Sequence, residues 1–316
     1  DELVDPRPWC EIIRQWSTFH PEFAFLPRKF KIAVNGATED RAAIGVHDIG
    51  LNVVKNDAGE VGFRVLVGGG LGRTPMVGSE INAFLPWHHL LTYLDAILRV
   101  YNRYGRRDNK YKARIKILVK ALTPEVFAEK VNAEWAHTKD GPVTLTEEEL
   151  HRVAKHFSAP AYEHFSGDDA DYLAKREAEK GFNNWAMRNL QAHKVPGDAT
   201  DKQMDAAAEL ADRFSFGELR VTHQQNLVLA DVRQADLYAL WNACKEQGFA
   251  TPNIGLLTDI ICCPGGDFCS LANAKSIPIA EALQRTFDDL DYLHDIGDLD
   301  LNISGCMNAC GHHHVG

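Results

Sequence analysis

The sequence predicts an α+β (mixed α/β) protein in two related units, and three observations carry that prediction. Short β-prone runs bounded by Gly, Asn and Asp alternate with helical periodicities from the N-terminus to Lys120. A polar stretch rich in His, Asp and Glu, with weak periodicity, then runs from Thr138 to Gly197. Beyond it, helix, paired strands and helix follow again from Thr200. Elements in this mixed order suit layered α/β or α+β packing and not a tandem repeat array.

The strands of the first part are KFKIAVNG (Lys29 to Gly36), AAIGVHDIGLNVV (Ala42 to Val54) and GFRVLVGGG (Gly62 to Gly70). PWHHLLTYLDAILRVYNRYG places Leu90, Leu91, Leu94, Ile97, Leu98 and Tyr101 at helical spacing, and Gly105 suits the stop. Thr123 before Pro124 reads as an N-cap and first-turn proline opening another helix. TEEE at Thr146 to Glu149 is a capping-box pattern and predicts a helix to about Phe157. SAPAYEHFSGDDADY (Ser158 to Tyr172) reads as loop or linker. A second capping box, Thr200 to Gln203, opens a helix through about Arg213. ELRVTHQ and NLVLADV read as paired strands, and ADLYALWNACKEQGF as a helix closed near Gly248.

A chain of 316 residues with 45% hydrophobic content can bury more than one core. Its formal charge of -10 argues against nucleic acid or an anionic membrane as partner. No apolar run reaches the length of a membrane span. The chain starts DELVDPRPW and stops at HHHVG, so it reads as a piece of a longer polypeptide; the cytoplasm is the expected compartment, with a lost leader left open.

Seven cysteines are too few and too bunched for a secreted disulfide scaffold. Cys10 and Cys244 sit in helical patterns and are expected to be buried thiols acting as small hydrophobes. The others lie in ICCPGGDFCSLANA (Ile261 to Ala274) and SGCMNACGHHHVG (Ser304 to Gly316). Cys263, Cys269, Cys306 and Cys310 form C-x5-C followed by C-x3-C, a candidate four-thiolate site for a soft metal. Structural zinc prefers pairs two to four apart, which the first pair exceeds, whereas iron–sulfur ligand spacings vary more. Spacing alone therefore favours a cluster and leaves zinc open. Cys262 reads as a bystander.

These cysteine pairs resemble those of the sirohaem-dependent nitrite and sulfite reductases, and so do LPRKFKIAV (Leu26 to Val34) and RVTHQQNLVLADV (Arg220 to Val232). The resemblance spans nearly the whole chain. It implies a pseudo-twofold repeated reductase fold with sirohaem and 4Fe–4S domains and a ferredoxin-like half-domain. The divisions it implies are a first 4Fe–4S/sirohaem-type domain over 1–140 and a linker or helical insert over 141–197. A ferredoxin-like half-domain over 198–255 and the start of a second 4Fe–4S/sirohaem domain over 256–316 follow. It implies that Cys263, Cys269, Cys306 and Cys310 hold a 4Fe–4S cluster and that Cys310 also bridges to sirohaem iron. The family commonly has proline where this chain has Met307.

Sirohaem carries eight carboxylates, which call for basic partners. RVYNRYGRRDNKYKARIKILVK supplies many, most of them fit for a solvated helix face, with Lys110 and Arg114 the choices for charge-assisted pairing. Arg28, Gln225, Ala272 and Asn308 match family positions lining the macrocycle. By the same resemblance Lys29 and Lys31 neutralise the substrate anion and relay protons. On a strand they would share a face. Lys31 stands where the family's nitrite reductases tend to carry Asn, which tilts the reading to six-electron reduction of sulfite to sulfide in sulfur assimilation. Nitrite to ammonia is the alternative, and a non-catalytic four-cysteine zinc or Fe–S electron-transfer module is the rival from another class. Further anion-gripping arginines would lie upstream of this segment. No flavin or nicotinamide motif is present, so electrons would come from ferredoxin or a flavoprotein reductase subunit. VGGGLGRTP (Val67 to Pro75) does not fit a dinucleotide loop and reads as a close-approach loop against the macrocycle, with Arg73 a candidate carboxylate partner. His312, His313 and His314 read as surface or neighbouring residues of the cysteine site.

Overall fold

A computed structural model describes residues 2–161, 167–189 and 199–315. The loop reading over Ser158 to Tyr172 and the end of the 141–197 segment fall in part on residues 162–166 and 190–198, outside the described residues. The chain divides into two compact units, Asp1–Ala159 and Pro160–Gly316.

The first unit runs α1 (Arg7–Ser17), α2 (Pro21–Ala24), β1 (Ile32–Asn35), β2 (Ile49–Lys55), β3 (Val61–Val67), β4 (Ser79–Pro86), α3 (Leu90–Tyr104), α4 (Ile115–Leu122), α5 (Pro124–Trp135) and α6 (Glu147–Ala154). Its sheet has the order β1-β2-β3-β4, with β1 parallel to β2 and the other pairs antiparallel. Period-two alternation turns Ile49, Leu51 and Val53 of β2, and Phe63, Val65 and Val67 of β3, to one wholly buried face. Leu90, Leu94, Ile97 and Tyr101 of α3, with Phe127 and Val131 of α5, belong to the same core. Gly105 ends α3, as its position in the sequence predicts.

Two details of this unit depart from expectation. Cys10 is exposed, because the buried stripe of α1 runs through Trp9, Ile12 and Ile13 and leaves position 10 outside it. Thr123 does precede α5, but in a left-handed backbone with no side-chain cap bond. Thr146 caps α6 through its hydroxyl to Glu149 N–H, while the Glu149 carboxylate turns to Arg152 and leaves the box half formed.

The second unit comprises α7 (Ala170–Ala178), α8 (Lys180–Asn189), α9 (Asp201–Phe214), β5 (Leu219–Val221), β6 (Leu227–Leu229), α10 (Leu237–Glu246), β7 (Ile261–Cys262), α11 (Ser276–Thr286), α12 (Leu290–Ile296) and β8 (Asn302–Ile303). The complete capping box at Thr200 and Gln203 opens α9, and β5 and β6 form an antiparallel hairpin. Phe182, Trp185, Leu240, Trp241 and Cys244 centre its main core. A much smaller cluster, Ile260, Cys262 and Ala280, lies under the cysteine segment. No helix of the described residues is long and apolar enough to cross a membrane.

Candidate functional site

In the first unit the R-K-F-K element leads into β1 instead of lying on it. Regular pairing starts at Ile32 opposite Ile49, because the Lys31 N–H is taken by the Asp48 carboxylate, 3.0 Å away. The side chains still alternate: Lys29 and Lys31 are exposed, and Phe30 between them is half-buried. Phe30 stacks on Tyr101 at 5.8 Å, and Tyr101 donates to Ala113 O at 2.6 Å. An inward aromatic thus holds the two flanking ammonium groups outward.

Asp48 organises this end of the unit, and sequence reading missed it. It is 1% exposed and accepts from the Arg114 guanidinium at 2.8 Å as well as from Lys31 N–H. Arg114, expected to meet a macrocycle carboxylate, therefore finds one of the chain's own. Its neighbour Lys116 is buried and donates to Leu71 O and Thr74 O, pinning the glycine loop. Burial lowers the Lys116 pKa, with the Arg114 charge adding to the shift. The close approach that loop makes is to backbone of its own unit: a Cβ on Gly69 would overlap the carbonyls of Gly45 and His47. Much of the basic run is likewise paired, Arg99 with Asp95 and Arg106 with Asp108. Arg28 and Lys110 are exposed.

In the second unit, β7 and β8 are parallel and in register, Ile261 opposite Asn302 and Cys262 opposite Ile303. Parallel strands send their following loops out at the same end, so the two cysteine segments leave side by side. Backbone bonds lace them: Cys263 N–H to Ile303 O at 3.1 Å, Cys269 N–H to Gly265 O at 2.9 Å, and Asn273 N–H to Gly305 O at 2.8 Å. Gly311 returns so close to Ile303 O that a Cβ there would overlap it. Ala309, before Cys310, takes a left-handed backbone and is buried. Lys275 and Asp267 close the first loop with a 2.8 Å ion pair.

The donor set around Cys263 suits a thiolate. Gly305 N–H donates to its sulfur at 3.1 Å, and the Ser276 hydroxyl, wholly buried at the start of α11, lies at 3.4 Å. Burial pushes this thiol up, but hydrogen bonds from Gly305, Ser276 and Gly265 outweigh it and leave the pKa below the usual thiol value. Cys269 and Cys306 are half-buried and Cys310 is exposed; Ala272 is half-buried and Asn308 exposed beside them. Cys262 is 1% exposed and in the core, away from the thiolate donors. Among the described residues no three His, Cys, Asp or Glu side chains gather closely enough to hold one metal ion. A cubane binds each cysteine to a different iron, so its ligands stand further apart than those of a single zinc. The fit to a cluster therefore rests on the adjoining cysteine segments and on the thiolate-suited donors around Cys263.

Two family models match this chain. "Nitrite and sulphite reductase 4Fe-4S domain" covers residues 1–139, and "Nitrite/Sulfite reductase ferredoxin-like half domain" covers 192–247. The chain belongs to the nitrite and sulfite reductase family. Residues 1–139 contain only Cys10, so the four-cysteine constellation of this reductase-family chain lies beyond both matched segments. Sulfite reductase [ferredoxin] 1 of Mycolicibacterium paratuberculosis is 26% identical over 98% of this chain and 52% of its own length. Ferredoxin–nitrite reductase of Synechococcus elongatus is 27% identical over 98% of this chain and 57% of its own length. The chain spans about half the length of the curated relatives it matches. The structure of the Mycobacterium tuberculosis NirA protein superposes with a TM-score of 0.72 at 24% identity, covering 98% of this chain and 53% of that one, a likeness of fold.

Proposed function

We propose that this chain is the part of a sirohaem- and 4Fe–4S-dependent reductase that carries the cluster ligands and two substrate lysines. The reaction is six-electron reduction of sulfite to sulfide, with nitrite to ammonia the alternative. The observation that supports it best is the pairing of β7 with β8, which brings both cysteine segments out together around a thiolate-stabilising Cys263. When bound, the two groups supply electrons and an open iron position for the anion.

The chain's own residues do the rest. Cys263, Cys269, Cys306 and Cys310 would hold the cluster, with Cys310 the ligand that would also serve the sirohaem. Arg28, Lys110, Ala272 and Asn308 are assigned to the macrocycle, and Arg114, held by Asp48, and Gln225, held by the Cys262 peptide, are assigned to line it while keeping those bonds. Lys29 and Lys31 neutralise oxyanion charge and hand over protons as oxygen leaves as water. Sulfite, six electrons and seven protons balance against hydrosulfide and three waters, so a proton supply is as necessary as an electron supply. The second positive charge at Lys31 favours dianionic sulfite over nitrite. Ferredoxin, named as donor in the relatives, is the preferred electron source, with a flavoprotein reductase as the other. The domain divisions at 140, 197 and 255 go with this reading. The compartment assigned with this reading is the cytoplasm.

The test is turnover of sulfite and nitrite with a reduced viologen dye, beside the visible spectrum. An intense Soret band with sulfite preferred supports the proposal. Nitrite preferred many-fold overturns the Lys31 argument, and a colourless zinc protein overturns the reductase reading itself. Cys310→Ser should abolish haem–cluster coupling in the EPR spectrum; retained coupling would count against the shared ligand.

A further inference from the structure

A side chain closes the outer edge of β7. On its inner edge the cysteine strand pairs with β8: Ile261 N–H donates to Leu301 O at 3.0 Å and Cys263 N–H to Ile303 O at 3.1 Å. Cys262, between them, turns its N–H and C=O the other way. Both meet the amide of Gln225: Cys262 N–H donates to Oε1 at 2.9 Å, and Nε2 donates to Cys262 O at 2.8 Å. A primary amide offers a donor and an acceptor in one plane, as a peptide does. Gln225 thus stands in for a third strand one residue long.

The hairpin holds this residue firmly. Gln225 has a left-handed backbone, φ 64°, in the turn between β5 and β6. Thr222 N–H donates to Asn226 O at 2.9 Å, Gln225 N–H to Thr222 O at 3.2 Å, and Asn226 N–H to the Thr222 hydroxyl at 3.0 Å. Asn226 beside it is 3% exposed.

We infer that Gln225 is a positioning residue for Cys263, acting through the Cys262–Cys263 peptide; this rests on the cluster reading above. Fixing both polar groups of Cys262 fixes the residue after it, and with it the 3.1 Å bond from Gly305 N–H to the Cys263 sulfur. Hydrogen bonds to cluster sulfurs raise the reduction potential, so the clamp raises it indirectly. Other side chains do not reproduce it. Glutamate has acceptors only and would oppose the Cys262 carbonyl, methionine fills the space with neither bond, and asparagine is a methylene short.

The test uses the full chain and the variants Gln225→Met and Gln225→Glu. Amide exchange at Cys262 is read in the metal-free protein, and the EPR-monitored cluster potential after reconstitution. Gln225→Met should speed Cys262 exchange by about tenfold or more, leave the β5–β6 amides protected, and move the potential to more negative values. Gln225→Glu keeps an acceptor for Cys262 N–H but opposes the Cys262 carbonyl, so it too should speed Cys262 exchange and move the potential to more negative values. Unchanged Cys262 exchange in the Met variant overturns the clamp; lost protection with an unchanged potential overturns its link to the cluster. Should the Met variant unfold, loss of β5–β6 protection shows it and the Glu variant decides. Should the wild type take up no iron, the reductase reading falls while the exchange data still judge the clamp.

Discussion

Lys29 and Lys31 enter a four-stranded sheet whose inner face, from Ile49 to Val67, is fully buried. Cys263, by contrast, follows a strand of two residues over a core cluster of Ile260, Cys262 and Ala280. The first region is built by burial, at roughly 25 cal/mol per Å² of apolar surface removed from water. The second has little apolar surface to bury and is laced by backbone bonds, Gln225 and the Lys275–Asp267 pair. A cluster bound there would contribute folding free energy to the second region that the first does not need. The contrast teaches that the first region is preformed by its fold, whereas the second would be completed by a ligand.

The harshest way to break this comparison is Cys306→Ser. It should cut iron content to near zero and lower exchange protection in the cysteine loops, 264–275 and 304–311, leaving β2 and β3 as protected as before. Loss of protection in both units would show that they do not differ as described.

Lys31→Met comes next. It should lower kcat/KM for sulfite by about 10²- to 10⁴-fold, the range for a lost proton donor, with the cluster EPR signal intact. A change of signal would mean that Lys31 supports the fold instead.

Asp48→Ala sharpens the picture of the first unit. It leaves the part-buried Arg114 without its carboxylate and Lys31 N–H without its acceptor. Breaking such a pair costs about 3–5 kcal/mol, readable by urea denaturation of unit one, while iron content should hold. An unchanged midpoint would remove Asp48 from its organising role.

His47→Gln carries the smallest effect. Burial holds the His47 pKa below the ordinary 6.5, against the pull of the Ala43 carbonyl. Between that lowered value and 6.5 the unfolded chain binds more protons, so stability rises with pH across the window. His47 therefore contributes stability above 6.5 that is lost as pH falls through the folded value. The variant should flatten the acid side of a Tm–pH curve; an unchanged slope would assign it to other groups.

Local chemistry made several elements legible from sequence. The run Leu90 to Tyr101 declares α3 by periodicity, and Thr200 with Gln203 declares α9 by its cap. β4 was not legible: a register shift opposite Phe63 and Val65 breaks its alternation, and Asn82 folds its side chain back to Phe84 N–H. α4 was hidden because its lysines read as a basic surface, though Lys116 is buried on two loop carbonyls. The four cysteines were visible through their spacing. Asp48 and Ser276 were not, because Asp48 meets Arg114 across 66 residues and Ser276 meets Cys263 across 13. The placement of Ser276 at the start of a helix was the one available signal. Pairings of that range exist only after the fold has formed.

The sharpest trial of the account is a joint count of iron and acid-labile sulfide per chain in anaerobically reconstituted protein. Four of each, falling together when any one of Cys263, Cys269, Cys306 or Cys310 becomes serine, is the result expected of a shared cubane. A single zinc, or iron that survives those substitutions, would contradict it.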